Sequence, residues 1–241
     1  MKLLAFETAT EACSVAVYID GQVIERHEVA PRKHAEYALP WAEELLAQAG
    51  IKRSQLDAIA ISRGPGAFTG VRLAIAIAQG IALGLDKPML AVSTLQVIAA
   101  ALPKTNEGEK QRILAAIDAR MGEVYVGAFE RNGEELLALS SEIVCAPQAV
   151  TLPDDAGGWQ AVGTGFSAVE GALASHMGNQ LSSIDASVLP HAADVARLAV
   201  AAYARGEAMA PERVEPGYLR NNVALTLEEQ EAVRASRWIR L

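Results

Sequence analysis

Two acidic residues stand at the ends of predicted strands and are the first candidates for chemistry. Glu7 closes a short apolar run at residues 2–8, and Asp118 closes a similar run at 113–118. Carboxylates at such positions can hold a metal ion beside a phosphate group. A phosphate also needs backbone N–H groups that approach it closely, which glycine-rich turns provide. Neither acid has a glycine among the three residues that follow it, so the pattern favours structural acids in a vestigial cleft over a working metal–phosphate pair.

Two glycine-containing loops are further candidates for a binding site. Gly64-Pro65-Gly66 could cradle an anion at the start of a helix, or it could be a turn between a strand and a helix. The loop has no lysine or hydroxyl residue in the register of a phosphate-binding P-loop, so we interpret it as structural. Gly163-Thr164-Gly165 is by itself a weak signal for a nucleotide site.

The elements that position these residues occur twice along the chain. The acid at the strand end, Glu7, has a counterpart in Asp118, and the glycine of a predicted hairpin, Gly21, has a counterpart in Gly133. Landmarks that recur at nearly the same offset indicate an internal duplication. We therefore predict an α/β protein made of two lobes, each a mixed sheet flanked by helices. The predicted lobes span residues 1–104 and 105–220, and residues 221–241 are expected to pack back on the first lobe.

Hydrophobic periodicity and turn residues predict the order of elements within each lobe. Predicted strands of the first lobe cover residues 2–8, 13–19, 22–29, 58–62 and 89–92. Its predicted helices begin near residues 34, 69 and 93, and Gly50 is expected to follow the end of the first. Predicted strands of the second lobe cover residues 113–118, 123–130, 135–144 and 160–162, followed by helices at 166–175 and 192–205.

The composition narrows the possible functions. The chain has 241 residues, of which 51% are hydrophobic, and its net charge is −8. An acidic protein repels phosphate backbones, so direct, independent binding of tRNA is not expected. Cys13 and Cys145 have no metal-ligand spacing and are predicted to be reduced thiols. A carboxylate interrupts the first apolar run too early for a signal sequence, so we expect a cytoplasmic protein without a membrane span.

Two predicted helices have more apolar surface than one sheet requires. The helix at 69–85 is apolar on nearly all sides, and small residues recur along it at a spacing of four, at Gly70, Ala74, Ala78 and Ala82. The helix that begins at His34 carries Tyr37 and Trp41 on one stripe. Aromatic stripes of this kind are typical of interfaces. From the residues alone, packing within the chain explains the aromatic stripe equally well.

Several motifs give the whole chain a resemblance to a known family. The most specific is Arg63-Gly64-Pro65-Gly66-Ala67-Phe68-Thr69-Gly70-Val71-Arg72. The segments at 7–14, 118–120, 123–125 and 218–220 add to it. Together with the duplicated lobes, they resemble the TsaB (YeaZ) family of the actin-like ATPase superfamily, whose lobes are ribonuclease H-like. Members usually have aspartate where this chain has Glu7.

The resemblance implies a non-catalytic subunit rather than an enzyme. Such a subunit binds and activates TsaD, which transfers a threonylcarbamoyl group to the adenosine beside the anticodon in tRNAs that read ANN codons. TsaE, an ATPase, joins the two proteins, and the subunit alone forms a homodimer. No catalytic residue, metal or cofactor is implied. The alternative is a small-molecule ATPase or kinase that uses Asp118 and Glu7.

The resemblance also implies roles for particular residues. The TsaD family binds a metal through two histidines four residues apart on the first helix, and here the second position after His34 is Ala38. The first two helices would form both the homodimer and the TsaD contact. The expected contact residues are His34, Tyr37, Ala38, Trp41, Leu45, Gly70, Arg72, Leu73, Ala74, Ile77, Ala78 and Ile81. The expected vestigial cleft consists of Glu7, Thr8, Asp118, Arg120, Gly163 and Gly165.

Overall fold

The fold consists of two mixed sheets and five α-helices in the part of the chain that the structure describes. The structure is a computed structural model and describes residues 1–104, 109–154 and 157–220. The strands are β1 Lys2–Glu7, β2 Ala12–Ile19, β3 Gln22–Val29, β4 Ala58–Ser62, β5 Met89–Val92, β6 Gln111–Arg120, β7 Glu123–Asn132, β8 Glu135–Ala138, β9 Ile143–Cys145, β10 Trp159–Val162 and β11 Leu181–Asp185. The helices are α1 His34–Gln48, α2 Phe68–Leu85, α3 Thr94–Ala100, α4 Ala172–Met177 and α5 Ala192–Ala204.

The two sheets have the same strand order, which confirms the predicted duplication. The first sheet runs β3-β2-β1-β4-β5, and the second runs β8-β7-β6-β10-β11, with β9 also paired to β7. In the first sheet, β1 is antiparallel to β2 and parallel to β4. In the second sheet, β6 is likewise antiparallel to β7 and parallel to β10. The hairpin glycines Gly21 and Gly133 both have positive φ angles, as tight turns between antiparallel strands require.

The first sheet is covered on both faces. Leu4 and Phe6 of β1 point into a core formed with α1 and α2, whereas Leu3 and Ala5 point into a core formed with α5. Alternate side chains of a strand reach opposite faces. A strand buried on both faces is therefore apolar throughout, and each leucine removed from water contributes about 1.5–3 kcal/mol.

Each lobe is completed by a helix from the other half of the chain. Helix α5 follows the second sheet in sequence but packs on β1, β2, β4 and β5 of the first. Helix α3 follows the first sheet but packs on β6 and β7. The predicted second lobe, residues 105–220, therefore includes a helix that lies on the first sheet, and the predicted first lobe, residues 1–104, includes one that lies on the second. The predicted packing of residues 221–241 lies outside the described residues.

Hydrogen bonds fix each exchanged helix to the sheet that receives it. The Ser14 hydroxyl accepts from the Ala192 amide at 3.0 Å, and the Glu25 carboxylate accepts from the Ala193 amide at 2.9 Å, at the start of α5. At the end of α3, the buried guanidinium of Arg131 donates to three main-chain carbonyls, those of Ala99, Ala100 and Leu102. Free amides at a helix start and free carbonyls at its end need such partners.

Three elements of the second lobe differ from prediction. The strand predicted at 135–144 is two strands, β8 and β9, which pair with different parts of β7. The helix predicted at 166–175 begins only at Ala172, because Glu170 and Gly171 have positive φ angles that interrupt it. Strand β11 was not predicted, since most of its residues are exposed and it lacks an alternating apolar pattern.

Helix α2 is apolar enough to be mistaken for a membrane-spanning helix. Among the described residues it is the one helix whose length and composition match a membrane span, with a mean hydropathy of 1.6. The core helix of a soluble protein passes the same test. Here Gly70, Ala74, Ala78 and Ala82 of α2 are buried against the first sheet.

Candidate functional site

A cleft of about 820 Å³ opens between residues of the two lobes. Its walls come from the turn after β1, the loop and first residue of α2, the end of β6 and the segment 217–220. Asp118 and Arg120 line it, as do His34, Phe68 and Tyr218. Of the six residues predicted for a vestigial cleft, Asp118 and Arg120 line this cavity, whereas Glu7, Thr8, Gly163 and Gly165 do not.

Glu7 is buried below the cleft instead of facing it. The residue has no exposed surface, and its Oε1 accepts a hydrogen bond from the Ala9 amide at 2.5 Å. Burial raises the pKa of the Glu7 carboxyl to about 7, and hydrogen bonding lowers it only in part. The groups beside the carboxyl that lower its pKa are the buried Ser62 hydroxyl and the Ala9 amide. Burial of this kind favours the protonated, uncharged form of a carboxyl group.

The loop before α2 and the first turn of that helix pack against the two residues that follow Glu7. The Ala67 amide donates to the Ala9 carbonyl at 2.7 Å, and the Thr8 hydroxyl donates to the Gly70 carbonyl at 2.7 Å. A Cβ atom on Gly70 would lie 1.9 Å from the Thr8 carbonyl oxygen. Close backbone contact explains the glycine, and this supports the interpretation of the loop as structural.

Asp118 does face the cleft, with a different partner from the one expected of a metal site. Its carboxylate accepts from the Arg120 amide and from the Arg120 guanidinium, both at 2.8 Å. Gly163 and Gly165 lie against the backbone of Ala116, where a Cβ atom would be 2.3 and 2.6 Å from the nearest atom, respectively. The structure therefore brings Asp118 and Arg120 together and leaves Glu7 outside their cavity.

His34 serves to position helix α1. Its Nε2 lies 3.0 Å from the Thr10 carbonyl oxygen and 3.1 Å from that of Ala12. Because both neighbours accept hydrogen bonds, Nε2 carries a proton and donates. Ala38, one turn later, is fully buried. In the described residues, no group of three His, Cys, Asp or Glu side chains is placed to hold a metal ion.

Half of the predicted contact residues face the protein's own core. The buried ones are Ala38, Trp41, Leu45, Gly70, Ala74 and Ala78. The half-buried ones are His34, Tyr37, Leu73, Ile77 and Ile81, and Arg72 is exposed. The prediction that the Gly70–Ala78 stripe meets another protein is thus corrected, because these small residues let α2 approach its own sheet.

The opposite face of α2 carries apolar and small residues into solvent. Ala76, Gly80, Leu83 and Gly84 are exposed, and Leu83 has 61% of its surface accessible. Nothing lies within 4 Å of a Cβ atom built on Gly80 or Gly84. The residues of this face, hereafter the outer face of α2, were not predicted, because the sequence of an apolar helix does not reveal which side its sheet covers.

Two further clusters were missed because their members are far apart in sequence. The Arg72 guanidinium lies over the Phe68 ring, and its Nε donates to the Tyr218 hydroxyl at 2.6 Å. On β3 and before α5, His27 stacks on His191, which also contacts Glu25. Both clusters join an early segment of the chain to a late one, and no local pattern signals such contacts.

Comparisons with known proteins agree with this architecture. The family model for tRNA N6-adenosine threonylcarbamoyltransferase, TsaD, matches residues 26–228. The tRNA threonylcarbamoyladenosine biosynthesis protein TsaB of Escherichia coli K12 is 43% identical over 93% of this chain and 96% of its own. The TsaB protein of Haemophilus influenzae Rd is 38% identical over 92% and 95%.

A solved structure has the same fold over nearly its full length. YeaZ from Pseudomonas aeruginosa superimposes with a TM-score of 0.82 at 46% identity, covering 90% of this chain and 99% of that one. Sequence and structure agree over almost the whole of both chains. The chain therefore belongs to the TsaB (YeaZ) family of tRNA threonylcarbamoyladenosine biosynthesis proteins.

Proposed function

We propose that this protein is a non-catalytic subunit that binds a TsaD transferase and activates threonylcarbamoyl transfer to tRNA. TsaD performs the chemistry, TsaE joins the two proteins, and this chain forms a homodimer when TsaD is absent. All of this takes place in the cytoplasm. The observation that carries the proposal is the outer face of α2, together with the family's role in tRNA threonylcarbamoyladenosine biosynthesis.

The outer face has the properties of a helix-docking surface. Exposed Ala76, Gly80 and Gly84 follow one another at a spacing of four, so another helix can approach the backbone closely. Leu83 and the half-buried Leu73 and Ile77 border this stripe. A contiguous apolar surface of this kind is rare on a monomer that has no partner.

The interior of the first lobe supports a non-catalytic role. Glu7 is fully buried, and the His34 Nε2 atom donates to main-chain carbonyl groups. These are the two positions where an actin-like enzyme or a TsaD-like metal site would begin. Asp118 lines the cleft, but its charge is already compensated by Arg120.

Reconstituted threonylcarbamoyl transfer tests the proposal. TsaD, TsaE, tRNA and a source of threonylcarbamoyl-adenylate are combined with or without this chain. We expect modification to require the chain, and an equal rate without it would overturn the activation proposal. The kinase alternative predicts that ATP with Mg²⁺ gives binding heat with the isolated chain, lost in Asp118→Ala.

A matched pair of variants tests the docking surface. Ala76→Glu places a carboxylate in the middle of the outer face, whereas Ala201→Glu makes the same change at an exposed position of α5. We expect Ala76→Glu to abolish TsaD capture and Ala201→Glu to leave it unchanged. Equal capture of TsaD by both folded variants would show that the outer face of α2 is not the contact surface.

A further inference from the structure

The mouth of the cleft carries a second surface that the docking of α2 does not require. We define the cleft rim as Arg32, Phe68, Arg72, Arg120 and Tyr218. Four of these residues line the cavity, and Arg72 joins them through Phe68 and Tyr218. Only Arg72 also belongs to the predicted partner contact.

The rim presents flat aromatic and guanidinium surfaces to solvent. Phe68 and Tyr218 are 56% and 49% exposed, and their rings lie 6.1 Å apart with planes inclined by 21°. The Arg72 Cζ atom lies 3.6 Å from the centre of the Phe68 ring. Exposed aromatic and guanidinium planes are the groups on which unpaired nucleobases stack.

The charges of the rim differ from those of the whole chain. Arg32 and Arg72 form no ion pair within the described residues, while the Arg120 side chain is 82% exposed beside Asp118. The chain as a whole has a net charge of −8. Because Asp118 balances the charge of Arg120, Arg32 and Arg72 supply the unbalanced positive charge of the rim, which is a local attraction for phosphate groups on an acidic protein.

Unusual backbone conformations concentrate at the same place. The described chain contains seven non-glycine residues with positive φ, and five lie in the cleft wall or within two residues of it: Arg32, Arg120, Met121, Val169 and Glu170. The other two are aspartates in turns. Arg120 and Met121 form the turn between β6 and β7, where positive φ angles are ordinary. The unusual conformations at the cleft are therefore those of Arg32, Val169 and Glu170, which cost about 1–3 kcal/mol each.

We propose that the cleft rim binds unpaired nucleotides of the tRNA substrate when this chain is joined to TsaD. This inference rests on the proposed function and adds a contact to it. Arg32 and Arg120 meet phosphates, and Phe68 with Tyr218 provides a stacking surface for a base. The net negative charge explains why the contact operates within the complex, where TsaD holds the rest of the tRNA.

An acidic polypeptide is the competing partner for an arginine cluster, and the aromatic residues favour RNA. A carboxylate-rich segment would satisfy Arg32 and Arg120 but would bring no planar group to Tyr218 or to the face of Phe68 that the Arg72 guanidinium leaves uncovered. A nucleotide supplies an anion and a planar base a few ångströms apart. It therefore matches both parts of the rim at once.

The test measures tRNA affinity of the reconstituted complex with TsaD at several salt concentrations. We expect the double variant Arg32→Ala with Arg120→Ala to weaken tRNA binding at least tenfold and to reduce the slope of log affinity against log salt by about two, one for each lost phosphate contact. The double lysine variant keeps the charges and should retain most of the affinity. The control double variant, Arg53→Ala with Arg197→Ala, removes two exposed arginines outside the cleft and should behave as wild type.

A second readout does not depend on substitution. Ultraviolet crosslinking of the wild-type complex to tRNA, followed by mass spectrometry, should place nucleotides on the peptides that contain Phe68 and Tyr218. Unchanged affinity and salt slope in a complex that assembles normally would overturn the proposal. Binding of a poly-glutamate probe, but not of RNA, at the rim would overturn it as well. Failure of the chain to bind TsaD at all would instead contradict the proposed function.

Discussion

His27 and His191 stack with ring centroids 3.9 Å apart and planes inclined by 12°, although one lies near the start of the chain and the other near its end. His191 precedes α5, and His27 lies on β3 of the sheet that α5 covers. The Glu25 carboxylate holds the other side of His191, with Oε2 at 3.0 Å from Nδ1. The contact between the two halves of the chain thus contains groups that titrate near neutral pH.

The Glu25 contact predicts a measurable effect on His191. Hydrogen bonding to Glu25 raises the pKa of His191, while burial and the neighbouring His191 lower the pKa of His27. We expect Glu25→Gln to shift the NMR titration of His191 to lower pH. Glu28→Gln, an exposed position on the same strand, is the control and should leave that titration unchanged.

The contact between His191 and Glu25 also predicts how stability changes with pH. The pKa of His191 is higher in the folded state than in the unfolded state, so the folded state keeps this proton to higher pH. The contribution of the His191–Glu25 pair to the free energy of unfolding is therefore full below about pH 6.5 and is lost as pH rises through the folded pKa. In Glu25→Gln this part of the pH dependence should disappear from urea unfolding curves. An identical pH profile in wild type and variant would contradict the assignment.

Glu7 predicts a second pH effect. Its pKa of about 7 lies above the ordinary value of 4.5, so the folded state binds more protons than the unfolded state between these values. The free energy of unfolding should therefore fall as pH rises from about 4.5 to 7, by up to about 3 kcal/mol. Glu7→Gln resembles the protonated acid and should be more stable than wild type at pH 8 but not at pH 4.5. Urea denaturation at both values checks this, and a Glu7→Gln variant that keeps the wild-type slope would show that Glu7 does not titrate in this range.

Helix α2 predicts opposite outcomes for neighbouring alanines. Ala78 is fully buried, so Ala78→Glu leaves an unpaired charge in the core and should cost about 3–5 kcal/mol or prevent folding. Ala76 is exposed, so Ala76→Glu should change stability only slightly, as surface substitutions usually do. Thermal melting of both variants distinguishes them. Similar melting temperatures would mean that the inner and outer faces of α2 have been assigned incorrectly.

The glycines of α2 provide a further matched pair. Gly70→Ala would force a Cβ atom against the Thr8 carbonyl oxygen and should destabilise the first lobe, whereas Gly80→Ala meets open space. Alanine is favoured over glycine inside a helix by roughly 0.5–1 kcal/mol, so Gly80→Ala should raise the melting temperature. The prediction fails if both substitutions act in the same direction.

Local patterns were sufficient to predict most of the first lobe. The hairpin at Asp20-Gly21, the helix end before Gly50 and strand β4 depend on turn residues and periodicity over a few positions, and these agree with the structure. The outer face of α2 could not be predicted, because it depends on which side of an apolar helix the sheet covers. Periodicity cannot decide that when nearly every position is apolar.

Contacts between distant segments could not be predicted from the sequence either. The turn after Glu7 is held by contacts with residues 67–70, and the rim depends on Tyr218 reaching Arg72 from a distant part of the chain. The predicted position of α5 was correct to within one residue at its end, yet the sheet that it covers was not predicted. An amphipathic helix shows that it covers something, but its sequence does not identify the surface.

The exchange of α3 and α5 has a consequence for how the protein could have arisen. A fragment of residues 1–104 alone would leave Leu3, Ala5, Ala58 and Ala60 without the helix that covers them, so neither half is a complete folding unit. An ancestor with a single copy would therefore have been complete only as a dimer that exchanged these helices, or after its two copies were joined on one chain. Circular permutation that keeps both exchanged helices should be tolerated, while separate expression of the halves should yield soluble material only when both are produced together.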